Sequence, residues 1–283
     1  MARPELLPFA ESVSWVADEH DAMAIASGLV IATRPADQMG WLTQAMRQPH
    51  IDRLILEKPL APTPAAAATT LQQLLDSGKR FAVAYTFPRT GWGERLLQDL
   101  RHESTAEKYS IQWGFAAHHY RRDLSNWKRF HDTGGGALRF YGIHIIALLA
   151  DAGYDSVIRS ATVAERFGEA RTWVAQFAGS NRPAVEVSVD TFAASTYFQI
   201  VAASRGTATT LVDLADPFDG TGEATGPGEL DRRIAGLADL HAALAAPPAS
   251  GWYVATNHLW QQVEQQNVHS GPDASTLESA GDT

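Results

Sequence analysis

The sequence predicts an α/β chain in two parts. A short parallel sheet flanked by helices comes first, and an α+β unit with an open, mostly antiparallel sheet follows. Two observations carry this. Over the first third, short apolar runs alternate with helical patterns, as βαβ units require. From about residue 108 onward, strand candidates succeed one another with few helices between them, which indicates antiparallel pairing.

Taken in order, Ser12 to Trp15 reads as a short strand, followed by a helix from Asp18 to Ala26. Gly28 to Ala32 is an apolar run suited to a buried parallel strand, and Asp37 to Arg47 follows as a helix with Met39, Leu42 and Met46 on one face. Arg53 to Glu57 is the next strand. Thr63-Pro64 then opens a helix running to about Asp76, with a hydroxyl N-cap, proline in the first turn and Gly78 placed to close it. Phe81 to Tyr85 is the third strand of this part. The later strands are Lys108–Ala117, Val157–Arg166, Thr172–Ala178, Val185–Ala194, Phe198–Ala203 and Thr209–Asp213. Helices are expected at Trp92–Arg101, Ile143–Ala152, Glu229–Ala245 and Trp252–Gln266. The resulting division is residues 1–88, residues 89–268, and a polar tail over 269–283 read as disordered.

Composition narrows the function classes. The 283 residues suffice for one large domain or two ordinary ones, and a formal charge of −9 without a basic stripe argues against a nucleic-acid partner. No cysteine is present, so disulfides, thiolate catalysis and zinc–thiolate sites are excluded. The opening residues lack the pattern of a signal peptide, and no apolar run approaches the ~20 residues needed to cross a membrane. A cytoplasmic protein with a small-molecule ligand and no membrane partner is the expectation.

Two motifs carry chemistry. Leu54 to Leu56 runs into Glu57-Lys58-Pro59, a charged pair at the carboxyl end of a parallel strand, where open α/β sheets bind ligands. A lysine there can pass a proton to a substrate oxygen, and desolvation lowers its pKa. An ordinary strand-end lysine is the plainer alternative. The second motif is Gly134-Gly135-Gly136, followed by Tyr141 and then His144 at a helix start. The glycines allow close backbone approach and the imidazole can relay protons, although a core histidine reads the same way. Between the motifs, Tyr120, Arg122, Trp127 and Lys128 offer aromatic faces and cations suited to sugars and anions, or else a solvated loop. Adjacent His118 and His119 point apart and suggest no metal site. The glycine pattern over 220–228 has acids where phosphate would sit, and it reads as a loop.

Glu57-Lys58-Pro59-Leu60-Ala61, followed by a triple glycine leading to His144, resembles the Gfo/Idh/MocA oxidoreductases, and the order of elements fits from about residue 12 to residue 215. The resemblance implies an incomplete Rossmann-like domain and a nicotinamide cofactor, NAD or NADP, used to oxidise or reduce a sugar-like or polyol carbon. It places Lys58 beside the reacting oxygen with His144 as its catalytic companion. It implies a substrate side that includes Tyr141, a cofactor side at Thr33, Arg34, Glu57 and Lys58, no metal, and a homo-oligomer formed through the antiparallel sheet.

The departures matter equally. Phe140 stands where the family shows an aspartate between the glycines and the histidine, and Ala147 replaces a second one, removing a carboxylate that would share proton transfer. No G-x-G-x-x-G turn precedes Leu29, and only 28 residues lie before it, fewer than the ~30 of one βαβ unit. The first strand, its helix and the second strand are therefore expected to be absent, and the Leu29–Ala32 strand becomes an edge. Either Ser12–Trp15 or a second chain should cover it. Three functions stay open: an oxidoreductase with a degenerate or lost NAD(P) site; a cofactor-independent isomerase, lyase or hydrolase; and a non-catalytic partner subunit.

Overall fold

The computed structural model describes residues 11–102, 105–164, 166, 168–218 and 232–271. The first unit opens with α1 (Glu19–Ile25), capped by the Asp18 carboxylate. It continues with β1 (Gly28–Ile31), α2 (Pro35–Arg47), β2 (Arg53–Leu56), α3 (Pro64–Asp76) and β3 (Arg80–Val83), and the three strands form a parallel sheet in the order β1-β2-β3. Thr63 caps α3 by accepting from the Ala66 N–H, and Gly78 closes the helix region at φ 68°. β2 is central and its Leu54, Ile55 and Leu56 are buried, as a strand covered on both faces requires.

The second unit comprises α4 (Gly91–Arg101), β4 (Lys108–Ala116), the single turn α5 (His118–Arg121), α6 (Ile143–Asp151), β5 (Ser156–Val163), β6 (Thr172–Ala178), β7 (Ala184–Asp190), β8 (Phe192–Ser204) and β9 (Thr207–Leu214). It ends with α7 (Arg232–Ala243), α8 (Ser250–Gln265) and β10 (Asn267–Ser270). Its seven strands lie in the order β10-β5-β6-β7-β4-β8-β9. The pairs β10–β5 and β4–β7 are parallel and the others antiparallel, so the sheet is mixed but mostly antiparallel. Alternation along β7 buries Val185, Val187 and Val189 on one face, against α6 and α8.

Several expectations need correction. Ser12–Trp15 forms no strand: Trp15 is 91% exposed, and β1 keeps an open edge among the described residues. The segment Val185–Ala194 is two strands, because the chain turns at Thr191, whose N–H and hydroxyl both donate to the Arg171 carbonyl. β7 and β8 then flank β4 on opposite sides. His269 and Ser270 belong to β10 rather than to a disordered tail. Asn267 and His269 are held there by Ser160 and Thr162 hydroxyls. The rest of the tail, 272–283, and the glycine pattern over 220–228 lie outside the described residues.

A 21-residue stretch, His131–Asp151, is long and apolar enough to cross a membrane, contrary to the sequence reading; 83% of the window tested is buried inside the protein, as in a core helix. Nor does the second unit keep to itself. Leu240 of α7 and Leu244, just after its end, pack on Ile55, Ala82 and Ala84. Tyr253 of α8 stacks on Phe81 at 5.4 Å, and its hydroxyl accepts from the Val83 N–H. The carboxyl ends of β1 to β3 therefore face the second unit across a fixed gap.

Candidate functional site

That gap is a cavity of about 1080 Å³. Thr33 and Arg34 follow β1, Glu57 and Lys58 follow β2, and Thr86 and Arg89 follow β3. Across from them stand Trp113 and Phe115 of β4, Trp127, Lys128, Phe140, Tyr141 and His144. The two catalytic candidates and most of the binding candidates thus meet in one place.

Lys58 is positioned by a residue that the sequence reading passed over. Gln38 is fully buried on α2; its side-chain amide donates to the Glu57 carbonyl at 2.9 Å and accepts from the Glu57 N–H at 3.0 Å. A polar residue one turn before Leu42, on the apolar face of a helix, was the available signal. The turn that follows contains a cis Lys58–Pro59 bond. From it, the Lys58 ammonium donates to the Phe140 carbonyl at 2.6 Å and lies 3.6 Å from the centre of the Phe140 ring.

The triple glycine shapes that partner. Gly134 and Gly136 adopt φ of 86° and 79°, and a Cβ on Gly135 would come within 2.1 Å of the Trp127 carbonyl oxygen. Only glycine meets these conditions cheaply. Ala137–Gly142 then form a π-helical turn before α6. Such wider turns leave backbone carbonyls free for other donors, and they recur at functional sites. Here the carbonyl of Phe140 is the acceptor for the Lys58 ammonium.

Burial lowers the Lys58 pKa to about 8, the neighbouring Glu57 carboxylate opposing the shift and the Lys128 charge adding to it. The Lys128 ammonium lies 5.2 Å from the same Phe140 ring, so two cations stand near one aromatic ring. His144 is 4% exposed, stacked on Phe87 at 4.8 Å, and its Nδ1 has no partner among the described residues. Burial, helped by the Lys58 charge, holds its pKa well below the usual range, so the ring is neutral. Burial also pushes the Tyr141 phenol well up, keeping it protonated.

Two candidates fall elsewhere. Tyr120 is buried in a separate cluster, with the Arg129 guanidinium 4.7 Å from its ring and Phe192 against its edge. Arg129 in turn pairs with Glu169 at 3.0 Å. Arg122 ends α5 on the surface, away from the cavity. Thr86, Arg89, Trp92, Trp113 and Phe218 line the cavity without having been expected. The strand-end rule that selected Lys58 selects Thr86 and Arg89 as well.

A dinucleotide's pyrophosphate needs backbone N–H groups at a glycine-rich helix start. Here α2 and α3, the helices that follow β1 and β2, both begin with proline, which has no N–H to give, and Arg34 makes no side-chain cap. No glycine-rich turn joins strand to helix at β1 or β2. Among the described residues, the turns after β1 and β2 offer no such cradle.

No protein-family model matches the chain, and no curated protein matches it. Solved structures do. GenD2 from gentamicin A biosynthesis, in complex with NAD, is 15% identical with TM-score 0.69, covering 90% of this chain and 81% of that one. WlbA dehydrogenase from Bordetella pertussis, in complex with NADH and UDP-GlcNAcA, is 14% identical with TM-score 0.67, covering 92% and 85%. The UDP-N-acetylglucosamine 3-dehydrogenase GnnA from Acidithiobacillus ferrooxidans is 15% identical with TM-score 0.67, covering 91% and 83%. At such identities the likeness is one of fold.

Proposed function

We propose, from the premise that this chain has the fold of the Gfo/Idh/MocA-type oxidoreductases, that it acts on a sugar-like or polyol molecule bound in the cavity, with Lys58 transferring the proton at the reacting oxygen. The observation that carries the reading is the Lys58 ammonium, held half-buried at the end of β2 against the Phe140 carbonyl and ring, with no ion pair among the described residues. An ammonium with a pKa of about 8 gives its proton readily to a sugar oxygen that is gaining negative charge, and its free amine takes one back from a hydroxyl in the reverse direction. Neutral His144 and protonated Tyr141 supply hydrogen-bonding groups beside it. Trp113, Phe115 and Trp127 offer flat faces for the sugar ring.

GenD2 and WlbA hold nicotinamide dinucleotides. In this chain Thr33, Arg34, Glu57 and Lys58 would stand nearest the nicotinamide, but the prolines that open α2 and α3 leave the pyrophosphate without a cradle. NADH or NADPH, titrated against tryptophan fluorescence, is expected to bind no tighter than millimolar; micromolar binding would overturn this part of the reading. The same prolines favour a second reading, in which the pocket performs acid–base chemistry without a dinucleotide, as an isomerase, lyase or hydrolase does.

Self-association completes the proposal. Ile158, Val174 and Leu211 are exposed on strands of the larger sheet, and Val174 points away from α6 and α8. A sheet face that carries such side chains can meet a second copy of the chain. Light scattering should therefore report a homo-oligomer, and a monomer at micromolar concentration would remove the claim.

A further inference from the structure

We infer that the cavity contains a subsite for an oxyanion carried by the ligand, formed by Thr86 and Arg89. The inference rests on the sugar-like reading above and adds charge to it: a sugar acid or a sugar phosphate, alike in presenting a carboxylate or phosphate oxygen.

Phe87–Arg89 form one turn of 3-10 helix between β3 and α4, with Thr86 preceding it. In that geometry side chains three residues apart eclipse, so Thr86 and Arg89 project the same way, and both line the cavity. Phe87 and Pro88 face the core instead, Phe87 packing on Trp92, Trp113 and His144. The turn is pinned at its far end. Thr90 caps α4 by accepting from the Gly93 N–H, its hydroxyl donates to the Phe87 carbonyl, and Gly93 sits too close to that carbonyl for any side chain.

On this rigid mount the Thr86 hydroxyl and the Arg89 Nε are both buried, and neither has a hydrogen-bond partner among the described residues. Burying a donor unsatisfied costs on the order of 1–3 kcal/mol, and a fold that keeps two of them on one turn beside a cavity calls for an acceptor from outside. One oxyanion accepts from both. The start of α4, with no proline, favours the same charge sign.

The wider charge balance agrees. The chain carries −9 overall, yet the cavity brings Arg34, Lys58, Arg89 and Lys128 together against Glu57, Asp216 and Asp239. Arg34 is already paired with Asp37, whereas Arg89 has no ion pair among the described residues.

The test is tryptophan fluorescence titration of the full chain with glucuronate, glucose 6-phosphate, methyl glucoside and inorganic phosphate. Wild type, Arg89→Gln and Thr86→Val are compared. At least one anionic sugar should bind about tenfold or more tighter than the neutral glycoside, the size of a lost charge-assisted hydrogen bond. Whichever anion wins identifies carboxylate or phosphate. Arg89→Gln should bring it to the neutral level and Thr86→Val part of the way, with no fall in melting temperature, because Arg89 surrenders no internal partner. Equal binding of neutral and anionic sugars, or a preference that survives Arg89→Gln, overturns the subsite and leaves the sugar reading standing. Inorganic phosphate binding that Arg89→Gln removes, with no sugar bound, keeps the subsite and defeats the sugar reading. Silence from all four probes defeats both.

Discussion

Replacing Lys58 with methionine is expected to lower turnover by about 10²–10⁴-fold, the range for losing a positioned general acid or base, while the folded protein becomes more stable. The second effect follows from linkage. The Lys58 pKa falls from 10.5 unfolded to about 8 folded. The unfolded chain therefore binds more protons between those values, and stability rises with pH across that window. Below pH 8 the whole penalty applies, about 3 kcal/mol. Methionine removes it but leaves the Phe140 carbonyl without its donor, which returns about 1–2 kcal/mol. A net rise of a few degrees in melting temperature at pH 7 should accompany the loss of activity. The wild-type rate should fall as pH passes about 8 in the direction where Lys58 gives its proton, and rise there in the direction where its free amine accepts one. Retained turnover in Lys58→Met would take the lysine out of the mechanism.

The largest effect on stability is expected at Glu264. Its carboxylate accepts from Arg139 at 2.7 and 3.2 Å, contacts His131 Nε2 at 3.0 Å and accepts from Trp260 at 3.0 Å. Arg139 lies in the π-helical turn and also donates to the Pro62 and His131 carbonyls. One buried ion pair thereby clamps α8 to the backbone that aims Phe140 at Lys58. Glu264→Ala strands the Arg139 charge and should cost about 3–5 kcal/mol, or a melting temperature lower by roughly 10 °C. Burial pushes the Glu264 carboxyl up, but the hydrogen bonds and charges of His131 and Arg139 outweigh it and hold the pKa at about 2, against an ordinary value of 4.5. A depressed carboxyl stabilises above its unfolded pKa. Wild type should therefore lose this contribution as pH falls from about 4.5 towards 2, and Glu264→Gln should show no such step. Identical acid-denaturation curves for the two would show that the clamp bears no weight.

How much could be read beforehand depended on distance along the chain. The three parallel strands, the Thr63–Pro64 helix start and the Gly78 closure each lie within a handful of residues, and they stand where the patterns put them. Lys58 and His144 were legible because strand ends and glycine runs are local signals for a site. Gln38, Thr86 and Arg89 were available to the same rules and went unread. Tyr120 and Arg122 were misplaced because a loop's composition does not say which way it folds. Tyr120 packed on Arg129, and Arg122 stayed on the surface.

The sequence by itself determined most of the strands and helices, the parallel start and mostly antiparallel continuation, and the lysine at the end of β2. Hydrophobic periodicity and capping are short-range, and each element carries its own instructions. Only the tertiary structure decided what Lys58 meets: a carbonyl 82 residues away, on a turn held by an ion pair spanning 125 residues. It also decided that α7 and α8 return to the first sheet and that two unpaired donors face one cavity. Such contacts arise from packing between distant segments, and no local pattern encodes which buried donor finds which acceptor.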